Sequence, residues 1–229
     1  VQFHIFLEDG GIIDSNIVIT MTSNDPEITF TKATSQIVEA LPGGKINNLA
    51  VPIEFIVPGE SKPKFDSFYV TIESEHSVEK LTIGYDHAVG NLEIIIIDDD
   101  RGGGHEMKYY EALHKCDRPS KIWDKATDGT PPGNELKKYH VAIWFTGDST
   151  LDFLSSNDIA VMKEYLNGGG YFMLSGQGLA SEIFAEDSLF LRDYLHCRYG
   201  GKVDLSLYQN GVADSPIGDD INVKIISDS

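Results

Sequence analysis

Residues 92–100 read Leu-Glu-Ile-Ile-Ile-Ile-Asp-Asp-Asp. An unbroken apolar run over 94–97 is the pattern of a strand buried on both faces, as in a parallel sheet; a strand with one wet face would alternate. The run stops at three acids. Arg101-Gly102-Gly103-Gly104 then turns into a helix expected over 105–116, with Met107, Tyr110, Leu113 and His114 at helical spacing. Further strands are expected at 120–123, 140–145 and 171–174, with a short helical turn through Leu136. Ser156 or Asn157 caps a helix whose Ile159, Met162, Tyr165 and Leu166 share a face, and Gly168-Gly169-Gly170 stops it. Helices from Leu179 and over 188–195 precede a last strand near 221–226. Strands alternating with helices predict βαβ units and a doubly wound parallel sheet over 92–229.

On the other side of Leu92 the grammar differs. Residues 16–21 alternate around Ile17, Ile19 and Met21, and 27–31 around Ile28 and Phe30, with the turn cluster Ser23-Asn24-Asp25-Pro26 between them. Strands follow at 36–40, 51–57, 68–73 and 80–85, separated by Pro42-Gly43-Gly44 and Pro58-Gly59. Short strands roughly 8–12 residues apart, with no amphipathic helix between them, predict an antiparallel sandwich of immunoglobulin-like size over 1–91. The expected chain has two domains, all-β then α/β, joined at Leu92 with almost no linker.

The composition is that of a packed globule, 41% hydrophobic and 24% charged in 229 residues, which excludes wholesale disorder. No apolar run approaches the roughly 20 residues of a membrane-spanning helix. Eighteen basic against 36 acidic side chains give −18, with 5 against 13 before Leu92 and 13 against 23 from it onward. A surface this acidic repels a phosphate backbone and disfavours nucleic-acid partners. It suits solubility, divalent-cation binding or an extracellular setting. Cys116 and Cys197 set no disulfide framework and leave their pairing open. The chain opens on Val1-Gln2-Phe3 without initiator Met or signal segment and closes just past an expected strand. The expectation is a piece of a longer chain.

In open α/β sheets ligands bind beyond the carboxyl ends of the strands. Three loops meet that criterion, 98–104, 146–149 and 175–178, and Asp98, Asp99, Asp100, Thr146, Asp148, Ser175 and Gln177 are the expected lining of one crevice. The triple Asp brings a phosphate-accepting receiver domain to mind. Asp148 stands past Thr146-Gly147, however, and no Lys follows the strand at 171–174, which argues against it. Adjacent side chains on a strand point to opposite faces, so Asp98 and Asp100 are the pair for a divalent cation such as Ca²⁺, and Asp99 is not. Ser175-Gly176-Gln177-Gly178 sits where a strand–turn–helix elbow would present a nucleophile, but Ser175 lies on the strand side of the turn. A Ser175, His196, Asp193 set exists on paper only. Gly102-Gly103-Gly104 lacks the spacing and the downstream Lys of a phosphate loop.

The motifs at 94–100 (IIIIDDD), 109–116 (YYEALHKC), 121–148 (KIWDKATDGTPPGNELKKYHVAIWFTGD) and 165–182 (YLNGGGYFMLSGQGLASE) resemble the class I glutamine-amidotransferase-like, flavodoxin-like domain of large secreted bacterial surface proteins. That domain accompanies peptidases of the gingipain and immune-inhibitor-A type. Residues 16–44 resemble the immunoglobulin-like domain that commonly precedes it. The resemblance implies the two folds, secretion, other domains of the same parent chain as partners, and a C-terminal portion beyond Ser229. Amidotransferases carry a nucleophilic Cys at the elbow and this chain has none there, so glutaminase chemistry is not expected and no catalytic residue is assigned. The functional expectation is a structural or adhesive module of an extracellular or cell-surface protein, self-assembling through an exposed sandwich edge such as 16–21. An accessory domain of a secreted peptidase and a hydrolase-like or ligand-binding crevice remain the alternatives.

Overall fold

The computed structural model describes residues 1–8, 14–40, 45–59, 61–75, 80–148, 154–201, 208–210 and 222–224. The expected turn at Pro42-Gly43-Gly44 lies outside them, as do Ser149 and most of 202–229. In the first half the strands are β1 (Gln2–Phe3), β2 (Phe6–Glu8), β3 (Asp14–Ser23), β4 (Thr29–Lys32), β5 (Thr34–Ala40), β6 (Lys45–Asn47), β7 (Ile53–Ile56), β8 (Lys64–Glu73) and β9 (Leu81–Val89). All pair antiparallel, in sheets ordered β1-β7-β4, β5-β3-β8-β9 and β2-β6. Alternation decides which side chains go inward: Ile17, Ile19 and Met21 of β3 and Phe68 and Val70 of β8 meet Ile53 and Phe55 of β7 in one core. Phe55 lies 5.2 Å from Phe68, centroid to centroid.

One expectation fails here. Residues 16–21 are not a free edge, because β3 is hydrogen-bonded on both sides, to β5 and to β8. Its apolar alternation marks a buried face and carries no information on whether the strand is an edge. Among the described residues the edges of this sheet are β5 and β9.

The second half contains β10 (Ile94–Asp98), α1 (Glu106–Lys115), β11 (Ser120–Asp124), α2 (Lys125–Asp128), α3 (Gly133–Leu136), β12 (Val141–Phe145), α4 (Ser156–Asn167), β13 (Tyr171–Ser175) and α5 (Leu179–Asp193). Four parallel strands stand in the order β11-β10-β12-β13. Ile95, Ile96 and Ile97 are fully buried, since both faces of β10 are covered. Ile95 and Ile97 pack with Ile159 and Met162 of α4 and Ile183 of α5, while on the opposite face Tyr109 of α1 stacks on Phe145 at 4.7 Å. The chain leaves β10 for β11 on one side and returns to β12 on the other. The β10–β12 boundary is therefore the switch point where such sheets open a crevice.

One boundary differs from expectation. The cap of α4 is Ser155: its Oγ accepts the Asp158 N–H and the Asp158 carboxylate accepts the Ser155 N–H, a reciprocal capping box. The two helices expected after Leu179 are both present within α5: they meet at Asp187, whose extended backbone (φ −152°, ψ 85°) breaks the helix and whose Oδ1 accepts the Phe190 N–H to start the second. The strand expected near the C-terminus appears as β15 (Asn222–Lys224), antiparallel to β14 (Tyr208–Asn210) and separate from the parallel sheet. Cys116 and Cys197 are exposed, unbridged thiols. The halves touch through Phe65 of β8, whose ring sits 4.2 Å from that of His114 and 6.1 Å from that of Tyr110, both on α1.

Candidate site at the strand ends

The three loops singled out from the sequence are joined through their backbones. Asp99 N–H donates to Phe145 O, Thr146 N–H to Ser175 O, and Gln177 N–H to Gly147 O, each at 3.0 Å. The side chains then divide between the faces of the sheet, as the pleat requires.

On the α1 side, Asp98 and Asp100 meet Glu106, with one carboxylate oxygen from each within 4.8 Å of the others. Asp100 organises the turn: Oδ1 accepts the N–H groups of Gly102 (2.9 Å) and Gly103 (2.7 Å), and Oδ2 accepts that of His105 (2.9 Å) and lies 3.0 Å from the His105 ring. This cage holds Arg101 at φ 58°. Gly147 lies against the same turn at φ +61°, where an added Cβ would sit 2.9 Å from the Asp100 Cβ. Burial, helped by the Asp100 charge, pushes Asp98 up to about 6. Burial also acts on Asp100, but the bonds from His105 and Gly103 outweigh it and hold that carboxyl below its usual range. Glu106 Oε2 is shielded from solvent and has no hydrogen-bond partner. Three hard oxygen donors of this kind could hold Ca²⁺ or Mg²⁺. Glu106 was not singled out from the sequence, because only the start of α1 turns it back toward β10.

On the α4–α5 side Asp99 belongs to a different arrangement. Its Oδ2 accepts the Trp144 indole N–H (3.0 Å) and the Lys125 ammonium (2.8 Å), and Lys125 also donates to Asp158 Oδ2 (2.8 Å). Asp158, fully buried, further accepts from Thr130 Oγ1 and from the Ser155 N–H and hydroxyl. Burial raises Asp99; Asp158 is buried too, yet its bonds to Lys125, Ser155 and Thr130 pull it below the usual range. Beside this network opens a cleft of about 670 Å³, walled by Asp99, Arg101, Lys125, Asp158, Glu182 and Glu186 among others. Asp99 is its one wall residue among the seven expected from the sequence. The Ser155-x-x-Asp158 spacing ahead of an apolar run was a readable signal; Lys125 had none.

At the elbow, Thr146 is fully buried and its hydroxyl has no hydrogen-bond partner. It lies so close to Gly176 that a Cβ there would stand 1.8 Å from Thr146 Oγ1. Ser175 closes β13 and Gly178, at φ 74°, caps α5. The other members of the paper triad are elsewhere. Asp193 pairs with Arg192 at the far end of α5, and the next residue, Tyr194, is bonded by Asn167 at the end of α4, the pole where β13 begins. Asp148 has an exposed side chain whose Oδ2 stands 3.8 Å from His105 Nε2, and Gln177 is also exposed.

No family model matches the chain, and no curated protein resembles it in sequence. Among solved structures it is similar to a family 123 glycoside hydrolase from Clostridium perfringens at 10% identity and a TM-score of 0.23. The match covers 76% of this chain and 42% of that enzyme, so the chain spans less than half of its length. A superposition this loose carries no inference about fold family or chemistry.

Proposed function

We propose that the chain is a non-catalytic structural module of an extracellular or cell-surface multidomain protein, pairing an immunoglobulin-like sandwich with a flavodoxin-like, amidotransferase-like domain. One observation carries this: the elbow holds Gly176-Gln177-Gly178 where such a domain needs its nucleophile, and Ser175 is separated from Asp193 by the length of α5. The half-buried Lys125 supports it, its ammonium being engaged by two carboxylates. The strand order, second-first-third-fourth along the chain, supports the flavodoxin-like reading. Asp98, Asp100 and Glu106 would take Ca²⁺ as a structural tie that stabilises the native state by mass action. The test is turnover of glutamine, ester, amide and glycoside substrates, with thermal unfolding in Ca²⁺ and in chelator. No turnover is expected, and a midpoint raised by Ca²⁺ in the wild type but not in Asp98→Asn/Asp100→Asn. Turnover abolished by Ser175→Ala would overturn the non-catalytic reading, and identical midpoints would remove the cation. The cleft beside Lys125 favours a second reading, a site for a small polar ligand such as a sugar, which saccharide titration by calorimetry would check.

A further inference from the structure

We infer that the two halves form one rigid body, in which α1 acts as a brace that fixes the angle between the sandwich and the parallel sheet. Domains joined by a single crossing of the chain reorient by default. Two sets of contacts oppose that here, and the first is the connection itself. Val89 ends β9 in the sandwich core and Leu92 packs against the core of the other half, with Gly90 and Asn91 alone between them. Gly90 lies at φ +91°, where an added Cβ would stand 2.3 Å from Lys62 O. Asn91 donates through its N–H to Ser61 O (2.9 Å) and through Nδ2 to Gly59 O (2.7 Å). Glu93 O accepts the N–H groups of His140 (2.8 Å) and Val141 (3.0 Å). The connection is thus tied to the sandwich through Asn91 and to the parallel sheet through Glu93.

The second set lies to the side of the connection. Because β10 and β11 are parallel, α1 returns from the carboxyl end of β10 to the pole where both strands begin, and its second half arrives beside the sandwich. Tyr109 serves its own sheet by stacking on Phe145, whereas Tyr110 and His114, one turn apart, meet β8 and β9. Phe65 points away from the sandwich core, since Asp66, Phe68 and Val70 alternate with it and are buried. Its ring is covered instead by His114 at 4.2 Å and Tyr110 at 6.1 Å. Ala88, opposite Phe65 on β9, is only 7% exposed and gives its N–H to the Tyr110 hydroxyl. His114 Nε2 stands 3.5 Å from Asp86 Oδ2, a half-exposed pair that adds little on its own. The ring contacts and the Tyr110 bond carry the brace. One attachment would leave the halves free to swing and twist; two that are apart remove both motions.

The inference rests on the structural-module reading for its use, a spacer of fixed angle, but the two fail separately. Turnover would sink that reading and leave the brace standing; halves that reorient independently would do the reverse. Residual dipolar couplings of the whole chain in a weakly aligning medium are expected to fit a single alignment tensor for the amides of both halves. Tyr110→Ala/His114→Ala removes the brace from the α1 side, and no α1 side chain belongs to a core. It should give the halves separate tensors, with the degree of order of one about twofold below that of the other. Phe65→Ala, which cuts the same contact from the sandwich side, should act alike. Unchanged amide shifts at Ile19 and Ile96 show that both cores remain folded in each variant. Separate tensors in the wild type, a measurement that needs no variant, overturn the inference. So does a single tensor in either folded variant.

Discussion

Gly176 and Thr146 set the closest tolerance at the strand ends. A methyl group at 176 meets Thr146 Oγ1 at 1.8 Å, and β12 and β13 are fixed at this point by the Thr146–Ser175 backbone bond. Gly176→Ala is therefore expected to cost about 2 kcal/mol by overpacking. Thr146→Ala in the same chain should recover most of that loss, and a double-mutant cycle in urea would expose the coupling. Additive costs would mean that the clash is not what demands glycine there. The aspartates teach a related lesson. Asp98 and Asp100 share a face and Asp99 takes the other, a division legible in strand alternation alone. Which face held a cation and which held a third carboxylate was not legible, because Lys125 and Glu106 arrive from other elements.

At the scale of elements, the Lys125 network ties β10, β12, α2 and α4 through ion pairs in a shielded place. Removing the cation would leave the buried Asp99 and Asp158 carboxylates without their shared counter-charge, so Lys125→Met is expected to cost about 3–5 kcal/mol in chemical denaturation. Replacing the three charges together, Lys125→Met/Asp99→Asn/Asp158→Asn, should be much milder than that single change. A single change no worse than the triple would contradict the network's role. Ser155→Ala should cost about 1 kcal/mol, the value of a lost N-cap, with amide exchange faster in the first turn of α4. The sequence placed this helix correctly but set its cap, Ser156 or Asn157, one or two residues late. The reciprocal bond to Asp158, not the first hydroxyl before the apolar stripe, decides the start.

For the whole molecule, acid is the informative perturbation. Asp158 titrates below its unfolded value of 3.8 in the native state, so its contribution is complete above that value and is lost as the pH falls through the lower native one. Asp99, raised by burial, acts with the opposite sign: its contribution is complete in acid and lost as the pH rises through its native value. Thermal midpoints followed from neutral into acid should fall less steeply in Asp158→Asn than in the wild type; equal slopes would remove Asp158 from the acid response. Among the described residues no helix is long and apolar enough to cross a membrane. The sequence by itself determined the two classes of architecture, since a period of two in residues 16–21 and an unbroken apolar run in 94–97 have different burial requirements. It also determined that residues 98–100, 146–148 and 175–178 end parallel strands at one rim. Tertiary structure alone decided that 16–21 is an inner strand and 81–89 an edge, because strand order depends on which chain segments return beside one another. It alone brought Lys125 between Asp99 and Asp158 and Glu106 to Asp98, since contacts between residues distant in sequence leave no periodic trace along the chain.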